Sequence, residues 1–306
     1  MKKHIANSLL LLSVGILVIS FMPQTIFINQ NTKTDSDDST YFKEVRAWHQ
    51  KRMESLKAEE GWLNLAGLFW LNEGKNSFGR DKSNTLVFPK GVGLMGQFTL
   101  NNGAVSVDID PQAQVVVNNE PITRLKLFPS EKNIVMKSQS LRWFVIKRGD
   151  KYGIRLRDLE SDALKHFTDV DTYPIDRHWL VKAHLDPSTI GKTVNVTDVL
   201  GHTTPQISPG TLVFKIKGQT YRLDAVEEGE ELFILFADET NRKETYGSGR
   251  FLYADKPDAN GTVYLDFNKA TNPPCAFTPF ATCPLPPKQN KLSIAVTAGE
   301  KNYAEH

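Results

Sequence analysis

The chain has no excess of charge of either sign. It carries 37 Lys and Arg against 35 Asp and Glu, and the counts become equal when Lys2 and Lys3 are set aside. A general nucleic-acid-binding protein shows a basic excess, so we expect no nucleic-acid partner. Beyond its first 28 residues the sequence also lacks any apolar run long enough to cross a membrane.

Groups for metal or nucleophilic chemistry are scarce as well. None of the seven histidines has a close histidine neighbour, and His178 and His184 would lie about 20 Å apart along a strand. Gly247-Ser248-Gly249 is not a nucleophile elbow, because Tyr246 stands where that motif needs glycine. The sequence therefore predicts no metal site and no cofactor.

The beginning of the chain has the pattern of a secretory signal. Lys2 and Lys3 precede an apolar run from Leu9 to Met22. This pattern predicts that residues 1–22 are either a signal peptide or an uncleaved anchor that holds the membrane through residues 5–22. We therefore expect an exported protein, periplasmic or anchored to the outer face of the cytoplasmic membrane.

The rest of the sequence predicts a mainly β fold. Residues 23–40 are predicted to be a polar tether, and Val45, Trp48, Arg52 and Leu56 predict an amphipathic helix from Tyr41 to about Glu60. Alternating apolar residues and regular turn signals follow. They predict two antiparallel β units, sandwich- or barrel-like, over residues 41–154 and 155–306.

One stretch of the first unit resembles a forkhead-associated domain. The resemblance rests on residues 71–80, 84–89 and 117–119. It implies a β-sandwich, and in that family the Gly-Arg pair corresponding to Gly79-Arg80 anchors a phosphothreonine. The Ser-x-x-His element of the family is missing from residues 95–99, so we do not expect phosphopeptide binding here.

The C-terminal part resembles another family more specifically. Residues 245–251, 264–268, 272–287 and 298–300, together with residues 61–79, are similar to the domain-of-unknown-function 1684 family. The resemblance covers about residues 41–301. It implies no activity, because the family has none established.

Polar residues near the C-terminus are the candidates for ligand binding. Thr262–Asn268 is predicted to be a strand with Asp266 and Asn268 on one face, where they either bracket a small ligand or organise the proline-rich loop that follows. Asp238, at the end of an apolar strand, is either a titratable site residue or a turn cap. Gly247–Arg250 is either a tight turn or an anion-binding concavity. The predicted ligand-binding residues are Asp238, Thr240, Tyr246, Arg250, Asp266, Asn268, Asn290 and Glu300.

Three roles are open for the two cysteines. Cys275 and Cys283 close a short loop, and export would favour a disulfide between them. Free packed thiols and a cysteine nucleophile are the alternatives, although no histidine lies nearby in sequence to act as base.

Three functions fit these observations. The first is a binding protein for a small polar or anionic ligand in the cell envelope. The second is an envelope enzyme, such as a hydrolase, that uses Asp238, Asp266 and Glu300. The third is a structural envelope component. We favour binding, because no nucleophile–base pair can be assembled from the sequence.

Overall fold

The computed structural model describes residues 32–303, with side chains from Asp38 onward. The predicted signal or anchor at residues 1–22 lies outside this range. Within it, no helix combines the length and the apolar character that membrane crossing requires. The described part is mainly β, as predicted, and its strands pair antiparallel apart from one short parallel pair.

The predicted amphipathic helix is present and longer than expected. Helix α1 spans Thr32–Lys57, so it begins inside the segment predicted to be a tether. Val45 and Leu56 are fully buried on its inner face. Gly61 follows the helix end and donates its backbone N–H to the carbonyl of Ala58 at 2.7 Å.

Two sheets build the N-terminal half of the chain. Their strands are β1 (Leu65–Trp70), β2 (Gly74–Gly79), β3 (Leu86–Val87), β4 (Gly96–Asn101), β5 (Ala104–Ile109), β6 (Val116–Val117), β7 (Glu120–Pro121), β8 (Arg124–Phe128), β9 (Met136–Ser138), β10 (Leu141–Arg148) and β11 (Lys151–Asp158). One sheet has the order β1-β11-β10-β9-β6-β7, and the other has the order β3-β2-β4-β5-β8.

Strand alternation explains how these sheets meet. In β5, Val105 and Val107 are fully buried while Ser106 and Asp108 are partly exposed, which is the pattern of a half-buried strand. The two sheets share one hydrophobic core, in which Phe78 and Trp143 pack with other aromatic rings. The β6–β7 turn is formed by Asn118 and Asn119, whose positive φ angles of 51° and 67° suit asparagine.

The C-terminal half contains a second six-stranded sheet. The helix and strands of this half are α2 (Asp162–His166), β12 (Leu180–Asp186), β13 (Thr193–Thr197), β14 (Thr203–Ile207), β15 (Gly210–Ile216), β16 (Gln219–Glu228), β17 (Glu231–Phe236), β18 (Arg250–Asp255) and β19 (Thr262–Asp266). The order is β18-β17-β16-β15-β12-β19, and β13 and β14 form a separate hairpin. The edge strands β18 and β19 approach each other, so the sheet is barrel-like and nearly closed.

Two details differ from the predicted boundaries. Strand β11 continues to Asp158 and pairs with β1 and β10, so the N-terminal sheet extends beyond residue 154. Strand β19 ends at Asp266, and Phe267–Lys269 form a 3-10 turn instead of the predicted strand continuation. Asp266 caps this turn by accepting the backbone N–H of Asn268 at 3.2 Å.

Candidate functional site

Asp238 and Arg250 form a completely buried ion pair. Arg250 Nη2 lies 2.8 Å from Asp238 Oδ2, and both side chains are 0% exposed. Arg250 also donates to the carbonyls of Val296 and Ala298, and Asp238 Oδ1 accepts both the hydroxyl and the backbone N–H of Thr240. These contacts tie the C-terminal segment to β17 and β18, and Arg250 does not face solvent as an anion-binding concavity would require.

Asp266 and Asn268 meet a tyrosine from helix α1. The hydroxyl of Tyr41 donates to Asp266 Oδ1 at 2.8 Å and accepts from Asn268 Nδ2 at 2.8 Å. Asn268 also bonds the backbone N–H and carbonyl of Asp176. Burial, together with the hydrogen bond to Asp266, raises the pKa of Tyr41 well above its usual range. Asp266 and Asn268 therefore organise the turn after β19 and attach helix α1 to it.

Glu300 is held by two elements. Its side chain is 0% exposed, and it accepts from Arg52 Nε of α1 at 3.1 Å and from the backbone N–H of Asn272 at 2.6 Å. Arg52 also donates to the carbonyl of Asn272 at 3.1 Å. The carboxylate of Glu300 is thus neutralised by a guanidinium from the N-terminal helix.

Asn290 and Tyr246 complete the predicted set. Asn290 is 0% exposed; its side chain bonds the backbone N–H and carbonyl of Asp224 and the carbonyl of Leu235. Tyr246 is half-buried against the small apolar cluster that contains Leu56.

The structure links most of the eight predicted residues by direct contacts. Arg250 donates to the carbonyl of Glu300 at 3.3 Å, and the carbonyl of Asn290 accepts from Ala237, next to Asp238. Asp266 and Asn268 form a neighbouring group under α1. These contacts give each side chain a role in the fold, and a ligand-binding role for the set stays a prediction.

The predicted disulfide between Cys275 and Cys283 is present. The two Cα atoms lie 6.1 Å apart, within the range that a disulfide spans. The loop that it closes, called here the disulfide loop (residues 275–283), contacts both halves of the chain. Thr278 donates to the carbonyl of Leu65 at 3.5 Å, and the carbonyl of Cys283 accepts from Val199 at 3.0 Å.

A cleft beside this loop was not predicted from the sequence. We call it the arginine cleft; it has a volume of about 320 Å³. Its principal lining residues are Arg148, Arg155, Thr282, Phe233, Phe251 and Tyr253.

Two arginines converge on one hydroxyl in the arginine cleft. Arg155 pairs with Phe144 across β10 and β11, and it lies on the sheet face opposite the core residues Ile154 and Leu156. Thr282 Oγ1 accepts from Arg148 Nε at 3.2 Å and from Arg155 Nη2 at 3.4 Å. The disulfide loop thus supplies a neutral acceptor to two cations.

The guanidinium of Arg155 is buried without a charged partner. The residue is 7% exposed, Nε has no hydrogen-bond partner, and no described carboxylate forms an ion pair with it. Burial, and then repulsion by Arg148 and Arg157, lower the pKa of Arg155 from 12.5 to about 10. A buried cation in this state attracts an anion, because an anion would supply the missing charge and acceptors.

Arg157 and Asp158, which follow Arg155 in the same strand, are also buried and have partners within the fold. Arg157 is buried and donates to Asn64 Oδ1 at 2.7 Å, while Asp158 pairs with Lys90 at 2.7 Å. The sequence signal for the arginine cleft is the alternation of arginines with core residues along β11. That signal does not reveal which loop covers the arginines.

A second cleft lies farther along the same sheet face. It has a volume of about 640 Å³ and is lined by Glu59, Lys137 and Arg142, among others. Lys137 and Arg142 already pair with Glu59, at 3.7 Å and 2.9 Å respectively. Arg157 also lines this cleft, and its Nη1 is already engaged by Asn64 Oδ1 and the carbonyl of Gly61. No group of His, Cys, Asp and Glu within residues 32–303 is arranged to hold a metal ion.

Fold and contacts together define a mainly β protein with a nearly closed barrel-like sheet and a cationic cleft beside its disulfide loop. Residues 165–301 match the family described as a protein of unknown function, DUF1684, which confirms the resemblance over the C-terminal half. None of the curated proteins matches the chain.

Two solved structures are similar to parts of the chain. One is the NMR structure of an uncharacterised protein from Haloarcula marismortui, with 29% identity, a TM-score of 0.39, and coverage of 46% of this chain and 80% of that chain. The other is the FHA domain of FhaA, crystallised with an intracellular domain of another protein. It shows 19% identity, a TM-score of 0.21, and coverage of 29% of this chain and 97% of that domain.

Proposed function

We propose that this is an exported binding protein that holds a small anionic ligand in the arginine cleft, in the periplasm or on the outer face of the cytoplasmic membrane. The observation that carries the proposal is the buried, unpaired guanidinium of Arg155. Such a group is costly to the fold, and an anion bound by Arg148 and Arg155 offsets that cost.

Export is supported by two separate features. Lys2 and Lys3 precede an apolar run that ends at Met22, as in secretory signals. The disulfide between Cys275 and Cys283 is the kind of bond that persists in oxidising compartments.

A hydrolase that uses Asp238, Asp266 and Glu300 has less support. Asp238 is paired with Arg250, Glu300 is paired with Arg52, and Asp266 accepts from Tyr41. A general acid or base must reach a substrate proton, and these carboxylates face protein groups instead. Among the described residues, no contact specifically favours a purely structural envelope role.

Calorimetric titration of the full chain with acetate and inorganic phosphate tests the proposal. We expect wild-type protein to bind at least one of these anions, and Arg155→Met to bind it about 10- to 100-fold more weakly, because a charge-assisted hydrogen bond is lost. Arg124→Met is the matched control, since that arginine is 79% exposed and lies outside the cleft. Equal binding of an anion by Arg155→Met and wild type would refute the proposal, as would the absence of binding by every anion titrated into wild type.

A further inference from the structure

The arginine cleft also has an aromatic wall, which belongs to the C-terminal sheet, whereas Arg148 and Arg155 belong to the N-terminal sheet. Phe233 and Tyr253 are paired residues of β17 and β18, and Phe251 precedes Tyr253 by two residues on the same strand face. Phe233 stacks on Tyr253 with ring centroids 4.9 Å apart and meets Phe251 edge-on, also at 4.9 Å. Three rings therefore form one continuous apolar surface.

This aromatic surface is accessible from the cleft. Tyr253 is 39% exposed and Phe233 is partly exposed, while Phe251 is 9% exposed and forms the deeper part of the wall. Contiguous exposed rings that line a concave site are typical of ligand-binding surfaces, because apolar ligand atoms can be buried against them.

The charges of the cleft limit the charge of its ligand. Besides Arg148 and Arg155, the cleft is lined by Glu228, whose Oε2 lies 3.4 Å from the hydroxyl of Tyr253. A second negative charge on the ligand would approach Glu228, which disfavours polyanions. The volume of about 320 Å³ lies at the lower end of the range for small-molecule sites, so it suits one ring and not a nucleotide or a polymer.

We propose that the ligand is a monocarboxylate carrying a single aromatic ring. Its carboxylate binds Arg148 and Arg155, which are suited to carboxylate recognition, and its ring packs on Phe233, Phe251 and Tyr253. This inference rests on the proposed function, since it assigns a chemical class to the same anion site.

A ligand series in calorimetry tests the class without any mutation. The probes are benzoate, phenylacetate, acetate, inorganic phosphate and benzyl alcohol, titrated into the full chain. We expect benzoate or phenylacetate to bind about 10- to 100-fold more tightly than acetate, because a ring is buried, and benzyl alcohol to bind more weakly than benzoate, because it lacks the charge.

Two tyrosine variants locate the ring. Tyr253→Ala should reduce benzoate affinity to about that of acetate and leave acetate binding unchanged. Tyr264→Ala is the matched control: Tyr264 is 59% exposed on β19 and does not line the cleft, so benzoate binding should be unchanged.

The outcomes separate this inference from the proposed function. If acetate or phosphate binds as tightly as benzoate and Arg155→Met abolishes that binding, the anion site stands and the aromatic class is wrong. If benzyl alcohol binds as tightly as benzoate, the carboxylate is not recognised and the class is also wrong. If none of the anions binds, the proposed function itself fails.

Discussion

At the scale of single residues, Arg155 combines an energetic cost with a proposed binding role. Its pKa in the folded protein, about 10, is below the ordinary 12.5, so the guanidinium is charged in both folded and unfolded states at neutral pH. The folded state therefore bears the full desolvation penalty at pH 7, and the penalty declines only as the pH rises through about 10.

Arg155→Met is expected to stabilise the anion-free protein. Methionine keeps the volume and removes the buried charge, so the free energy of unfolding should rise by about 1–3 kcal/mol. Urea unfolding at neutral pH without added anions measures this change. The exposed-site variant Arg124→Met should stay within about 0.5 kcal/mol of wild type.

A loss of stability in Arg155→Met would contradict this expectation. It would mean that the hydrogen bond to Thr282 outweighs the buried charge. A gain in stability together with weaker anion binding would identify Arg155 as a residue kept for binding at the expense of the fold.

At the scale of structural elements, the disulfide loop shapes the arginine cleft. Cys283 lines the cleft itself, and Thr282 bonds both arginines. The crosslink restricts this segment in the unfolded chain as well as in the native one. Its removal should therefore affect both stability and binding.

The double variant Cys275→Ser/Cys283→Ser should be less stable than wild type by about 2–3 kcal/mol, as the chain-entropy account gives for so short a loop. It should also bind the cleft anion more weakly, because Thr282 is no longer held between the arginines. Thermal unfolding and anion titration, each with and without dithiothreitol, measure the two effects.

The reductant supplies an internal control for this experiment. Dithiothreitol should shift wild-type protein toward the behaviour of the double variant and should leave the double variant unchanged. Unaltered wild-type stability under complete reduction would contradict the expectation.

Local patterns predicted the mainly β class and helix α1 but not the cleft. Alternation, as at residues 105–109 of β5, indicates a strand because burial of one strand face repeats every second residue. It failed after Asp266, where a side-chain cap turns the chain into a 3-10 turn that leaves no periodic signature. The arginine cleft depends on packing between β11 and a loop more than a hundred residues later, which no local pattern encodes.

The predicted site residues illustrate the same limit. Residue type and local position in the sequence were enough to select these polar residues as candidates. For Asp266 and Asn268 they also indicated the alternative role of organising the following loop. Their partners could not be identified in this way, because Tyr41 and Arg52 come from a helix more than two hundred residues away. Sequence spacing alone therefore could not distinguish a buried network from an open ligand site.

At the scale of the whole molecule, helix α1 connects both halves of the chain. Through Tyr41 and Arg52 it bonds the C-terminal half, and just beyond its end Glu59 pairs with Arg142 of the N-terminal sheet. The buried Glu300 makes this connection sensitive to one substitution, because its only described ion pair is with Arg52.

Arg52→Met should reduce the free energy of unfolding by about 3–5 kcal/mol, because it leaves the carboxylate of Glu300 buried without a cation. Arg46→Met, at an exposed position of the same helix, should have little effect. Urea unfolding measures both changes, and adding Glu300→Gln to Arg52→Met should recover part of the loss. Equal stability of the Arg52 and Arg46 variants would contradict this account of the ion pair.

The attachment of α1 also determines how far the molecule can travel from a lipid surface. If residues 1–22 remain in the membrane as an anchor, only the linker of residues 23–31 separates this anchor from Thr32. A linker of that length spans at most about 30 Å. Because Tyr41 and Arg52 bond α1 to the C-terminal half, this linker would also restrict rotation of the folded body relative to the lipid surface. A soluble form released by cleavage would sample the whole compartment with the same cleft.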